Sequence, residues 1–167
     1  ERLRVDRFDL LLLHNPDTTG YQSDVVWATL NKLKADGKTD LVGVAPGPAN
    51  GFTVDVIDCF ERHGASIDWV MIILNPLEPW PGGLVLKAAE KHEIKIIARV
   101  VDYGGVFHGD LKPGIRLPRK DHRSFRPAGW IETALDKLPP LQVIADNHRQ
   151  TLLQLACKWD LAQPAVE

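Results

Sequence analysis

The sequence predicts an α/β fold of about four parallel βα units, and three observations carry that expectation. Apolar runs of strand length alternate with stretches of helical period four times along the chain. The first of these runs, Phe8–His14, is nearly continuous in leucine, as a strand buried on both faces of a parallel sheet should be. Each run ends at a cluster of Asn, Pro, Gly or Asp that can extend neither a strand nor a helix.

Taken in order, the first strand stops at Asn15-Pro16-Asp17, and Ser23 offers the N-cap of a helix that carries Val26, Trp27, Leu30 and Leu33 on one face until Gly37. Leu41–Val44 is the second strand, broken by the Gly- and Pro-rich Pro46–Gly51. Thr53 is expected to cap the second helix, with Val56, Ile57 and Phe60 inward, ending near Gly64. Trp69–Leu74 reads as the third strand, the segment from Leu84 through Glu93 as the third helix, and Ile94–Val101 as the fourth strand. The stretch Asp102–Gly129 lacks periodicity and is rich in Gly, Pro and Arg, so it is read as a long loop of the kind that is usually functional. Helical patterns follow at Ile131–Leu138 and Leu141–Trp159, the latter breaking near His148–Gln150 so that Thr151 caps a fresh helix. Pro164 ends that helix, and Ala165-Val166 begins what looks like another strand. Right-handed crossovers make such a sheet parallel, and four strands cannot close a barrel, so two edges and an apolar inner face call for cover by a missing barrel half or a homo-oligomer.

Composition narrows the classes. The 167 residues are read as a single domain, 44% hydrophobic and 25% charged with a formal net charge of −2, which suits a globular protein and carries no nucleic-acid signature. The longest apolar runs fall far short of the roughly 20 residues of a membrane-spanning helix, so no membrane role is expected and a cytoplasmic location is the default. Cys59 and Cys157 form no CxxC pair and are read as buried reduced thiols. His63, His92, His108 and His148 show no paired spacing, and no metal site is expected.

Five landmarks in order resemble the aldo-keto reductases over essentially the whole chain: Arg2–Leu10 through Leu13-His14-Asn15-Pro16-Asp17; Leu33–Lys38 into Val42-Gly43-Val44; Asp68-Trp69-Val70 through Asn75-Pro76-Leu77; Arg99-Val100 through Gly105–Gly109; and Thr151–Trp159 with Leu161–Val166. The resemblance implies a partial (β/α)8 TIM-type barrel, its fourth to seventh strands with their helices, and reduction of an aldehyde or ketone to an alcohol with NADP, or else NAD, as cofactor. It also places the family's catalytic tyrosine, lysine and aspartate upstream of these residues and much of its phosphate-recognition segment downstream, so this segment is expected to be inactive alone.

Carried over by position, the resemblance makes His14 the residue that orients and polarises a small carbonyl substrate, with Asn15 and Asp17 beside it in the substrate pocket. Hydride delivery builds negative charge on the carbonyl oxygen, and a hydrogen-bond donor aimed there lowers the barrier. The family's carboxamide-binding serine and asparagine are replaced by Ala45 and Pro46, leaving backbone or Asn50 to make that contact. Its glutamine aligns with Met71 and its nicotinamide-stacking tyrosine with Leu74. Tyr103, Gly104, Gly105 and Val106 match the segment that wraps the cofactor pyrophosphate through backbone donors. Arg116, Arg119, Lys120, His122, Arg123 and Arg126 form a basic cluster that would attract an anion or lie solvated on the surface. The lost polar anchors also leave open a catalytically silent barrel acting as a binding or assembly module. On either reading, His14, Ala45, Leu74 and Tyr103 are expected around one mouth.

Overall fold

The computed structural model describes residues 3–47 and 50–167, so the middle of the Pro46–Gly51 loop, Pro48-Ala49, lies outside the described residues, as does Arg2 of the first landmark. Four strands, β1 (Phe8–His14), β2 (Thr39–Ala45), β3 (Trp69–Ile73) and β4 (Lys95–Arg99), form one sheet in the order β1-β2-β3-β4, every neighbouring pair parallel. Helices α1 (Thr18–Gln22) and α2 (Asp24–Ala35) separate β1 from β2; α3 (Thr53–His63) and α4 (Gly83–Lys91) fill the next two crossovers; α5 (Trp130–Leu135), α6 (Leu138–Asn147) and α7 (Leu152–Leu161) follow β4. The sheet is not closed: β1 and β4 are its edge strands, as four units of a barrel wall require. Beyond α7, Val166 makes a single parallel bridge to Ile96, with Ile96 N–H donating to the Ala165 carbonyl at 2.7 Å, so the expected fifth strand makes its first contact beside β4.

Strand alternation sorts the side chains. Leu11, Leu13, Val42, Val44, Val70, Ile72, Ile96 and Ala98 face the helices and pack with Trp27, Val56, Phe60, Val85 and Ala89 in the main core. Each large side chain in this layer contributes about 1.5–3 kcal/mol by leaving water. The other parity, Leu10, Leu12, Leu41, Met71 and Ile97, lies on the inner face and is only half-buried. Gly43 belongs to that face because nothing larger fits: a Cβ there would lie 2.1 Å from the Trp69 carbonyl oxygen and 2.8 Å from Leu12. At the opposite end from the mouth, Asp68 ties the layers together, accepting from Lys34 at 2.7 Å and from the Val42 N–H at 2.8 Å.

The capping expectations divide. Ser23 accepts from Val26 N–H at 3.3 Å and starts α2, and Thr151 with Gln154 makes a full capping box at the start of α7. Thr53 does not cap α3: it is the first helical residue, and its hydroxyl donates to the Asn50 carbonyl at 2.7 Å. The short α1 was not expected; Asp17 starts it by accepting from Gly20 N–H at 2.9 Å. Cys59 is buried and its thiol is pushed up to about 12 by desolvation, whereas Cys157 is exposed, because on α7 it faces away from the Leu152–Ala156 packing stripe. The 102–129 stretch is no floppy connector: Val106 and Phe107 seed two smaller core clusters with Trp130, Ile131, Ala145 and Leu152. Among the described residues no helix is long and apolar enough to cross a membrane.

Candidate active site

The carboxyl ends of the four strands open on one side of the sheet, and the register fixes which residues meet there. His14 pairs with Ala45, and Ile73 with Arg99. All four have the inward parity, opposite to Leu13, Val44, Ile72 and Ala98, so they rim the inner face at its mouth. In open α/β sheets and barrels this is the side on which ligands bind. His14 is exposed at the β1 edge, and the chain leaves it through Asn15, a left-handed residue (φ 49°) whose N–H donates to the Ala45 carbonyl at 2.8 Å. That bond turns the chain sharply enough to leave the His14 imidazole clear.

Several expected site residues are used differently. Asp17 is exposed and committed to its cap, accepting from Gly20 N–H and from the Thr19 hydroxyl at 2.6 Å; those bonds hold its carboxyl below the usual range. Leu74 follows β3 with the outward parity of Val70 and Ile72, and so is fully buried in the helix-facing core, where it can offer no platform to a bound ring. Val106 is likewise fully buried, backbone included. Asn50 is held by the next unit, its Nδ2 donating to the Ile73 carbonyl at 3.0 Å. Ala45 is buried on the inner side, and Met71 half-buried beside Ile97 on the same face.

The glycine loop is held from within. Gly104 N–H donates to the Asp102 carboxylate at 3.0 Å, and the Gly104 carbonyl accepts from Arg123 Nη1 at 2.9 Å. A Cβ on Gly104 would lie 3.2 Å from Trp130, and one on Gly105 3.1 Å from Arg123, so both glycines admit neighbouring side chains, and both have positive φ. Tyr103 packs its ring 5.5 Å from Trp130 and beneath the Arg126 guanidinium.

Of the basic cluster, two members fold inward. Arg123 grips Asp121 with Nη2 at 2.7 Å and Nε at 2.9 Å, which holds that carboxyl far below its ordinary range, and Arg126 pairs with Glu78 at 3.2 Å while covering Tyr103, Trp130 and Phe125. Arg116, Arg119, Lys120 and His122 are exposed. Sequence reasoning passed over three residues here: Arg99, Glu78 and Asn75. Arg99 shares its inward parity with Lys95 at the other end of β4, so a basic residue on that face did not by itself single it out. With Ile73, Glu78, Gly104, Phe125, Arg123 and Arg126 it lines a half-enclosed cavity of about 150 Å³. Its Nη2 donates to the Gly47 carbonyl at 3.1 Å.

The family model described as the Aldo/keto reductase family matches residues 1–167. Among solved structures, a glycerol dehydrogenase from Gluconobacter oxydans is 28% identical with a TM-score of 0.77, over 99% of this chain and 49% of that one. An aldo/keto reductase from Klebsiella pneumoniae, solved in complex with NADP and acetate, is 17% identical with a TM-score of 0.68, covering 99% and 48%. An aldo-keto reductase from Bacillus halodurans in its holo form is 18% identical with a TM-score of 0.67, covering 99% and 49%. No curated protein matches. The chain thus spans about half the length of the structures it resembles, and its parallel strands are four units of their barrel. Matched along its full length and folded as that partial barrel, the chain belongs to the aldo/keto reductase family.

Proposed function

We propose that these residues form the His14 side of the active site of an NAD(P)H-dependent oxidoreductase that reduces a small aldehyde or ketone to an alcohol. The observation that carries this reading is the placement of His14 at inward parity on the end of β1, exposed, in a chain of this family. The mouth is compatible with the cofactor in its chemistry: the half-buried Met71 offers apolar contact to a flat ring, and the Arg99 guanidinium supplies positive charge for an anionic dinucleotide. When bound, that cofactor supplies the hydride. His14 donates an imidazole N–H toward the carbonyl oxygen, where charge develops, and Asn15 holds it there by turning the backbone. NADP is the proposed cofactor, with NAD as the alternative; the Klebsiella pneumoniae relative was solved in complex with NADP.

The segment alone is proposed to be inactive, on the expectation that the family's aspartate, tyrosine and lysine lie outside it. The experiment is an assay of NADPH oxidation with an aldehyde panel, run on this polypeptide and on a parent chain carrying the remaining barrel units. Turnover by the parent alone is expected; a parent with no affinity for either cofactor sinks the reading. The engagement of Asn50 by Ile73 and the burial of Leu74 favour a second reading, a silent barrel used for binding or assembly, for which that same null result is the positive outcome.

A further inference from the structure

We infer that Arg99 is an oxyanion-recognition residue, and that the molecule bound at this mouth presents a carboxylate or phosphate to it. Three arginines line the cavity at the end of β4 beside the exposed His122, and two of them are already matched: Arg123 by Asp121 at 2.7 Å and Arg126 by Glu78 at 3.2 Å. Arg99 has no carboxylate within ion-pair distance among the described residues; its one hydrogen bond there runs to a neutral carbonyl, that of Gly47. The planar guanidinium therefore keeps most of its N–H donors, arranged in the fork that matches a carboxylate or phosphate edge.

An unmatched guanidinium in a half-enclosed cavity carries a desolvation cost, and a bound oxyanion is the group that offsets it most directly. Burial already lowers the Arg99 pKa, though arginine remains charged, and the nearby Glu78 only partly opposes that effect. The rest of the wall sets the shape of the ligand. Ile73, Val100 and Phe125 are apolar, and about 150 Å³ admits the anionic head with a short carbon stem. The residue's position is also built: Leu74 N–H donates to the Arg99 carbonyl at 3.3 Å, and the next residue, Val100, takes a left-handed φ of 59° that a β-branched side chain seldom adopts. Such an outlier, held by surrounding bonds, fixes where the chain leaves β4 and hence where the guanidinium starts.

The inference concerns the same mouth as the proposed reductase site, but its test does not depend on catalysis. The ¹⁵N-labelled 167-residue chain is titrated with acetate and with inorganic phosphate, following the arginine Nε–H resonances. Saturable movement of the Arg99 resonance is expected. Arg99→Gln should raise the dissociation constant at least tenfold, Arg99→Lys should restore part of the phosphate affinity but little of the forked carboxylate binding, and Lys38→Gln, a charge loss at the other end of the sheet, should change nothing. Repeating the titration with NADP present separates the two sources. Mutual exclusion assigns the anion to the cofactor's own phosphates, and simultaneous binding assigns it to the substrate. Binding of acetate or phosphate by this chain, together with a parent chain that has no affinity for NADP, leaves this inference standing while the cofactor reading fails. An unmoved Arg99 resonance, or unchanged affinity in a folded Arg99→Gln or Arg99→Lys chain, overturns it.

Discussion

The buried Asn75 side chain donates from Nδ2 to the Val100 carbonyl at 3.1 Å and so ties the end of β3 to the end of β4. Its Oδ1 accepts from the N–H groups of Leu77 and Glu78 at 3.0 and 2.9 Å, which shapes the turn that delivers Glu78 to the mouth. Asn75→Ala leaves the Leu77 N–H without a partner, while the Glu78 N–H keeps the Asn75 main-chain carbonyl at 3.0 Å and the Val100 carbonyl keeps the Tyr103 N–H at 2.9 Å, so the cost is about 1–3 kcal/mol. Urea melts should show that loss, and the Arg99 Nε–H resonance should shift because both neighbouring turns relax. Wild-type stability in Asn75→Ala would show that the clamp is not a fold determinant.

At Gly43 the sheet admits no side chain. Gly43→Ala drives a methyl group against the Trp69 carbonyl, where backbone rather than a rotatable group must move. A destabilisation of about 3 kcal/mol or more is expected, with overpacking as the cause. A neutral variant by thermal denaturation would mean that β2 and β3 separate more easily than their register implies.

Asp160 on α7 is 2% exposed, and neither carboxylate oxygen has a partner among the described residues, so desolvation pushes its pKa up to about 7. Between about pH 4 and 7 the folded chain holds a proton that the unfolded chain has released, and this group therefore makes stability fall as pH rises through that window. Asp160→Asn removes the slope and should gain roughly 1–3 kcal/mol at pH 8 while matching the parent near pH 4. Melts of the two chains that stay parallel from pH 4 to 8 would contradict the raised pKa.

The capping box of α7 gives a smaller effect. Thr151→Ala removes the acceptor for Gln154 N–H, now at 3.1 Å, and should cost about 1 kcal/mol, while Thr151→Ser should recover most of it. Hydrogen exchange at the first turn of α7 is the direct measurement.

For the proposed chemistry, His14→Ala in a parent chain that turns over should lower kcat about 10²–10³-fold with a smaller change in KM, since the lost donor acts on charge developed in the transition state. Equal loss in KM and none in kcat would make His14 a binding residue only.

Much of this was legible along the chain. The four strands, the caps at Ser23 and Thr151 and the breaks between elements are local matters: leucine-rich runs, a hydroxyl beside an apolar helical face and Gly-Pro clusters act over a few residues, so their effect can be read without knowing what lies across the fold. The placement of His14 at a strand end belongs to the same class. The rest depended on partners distant in sequence. Parity at the end of β3 sent Leu74 into the core rather than to the mouth, and Asn50 was claimed by Ile73 from the next unit. Arg123 and Arg126 were indistinguishable from their basic neighbours until Asp121 and Glu78 met them, and nothing in the order of residues revealed that Arg99 would reach the same cavity without a carboxylate of its own. Periodicity is a property of one segment, whereas burial and ion pairing belong to pairs brought together by packing, and that is why the strands were evident early and the charge balance of the mouth emerged only with the folded sheet.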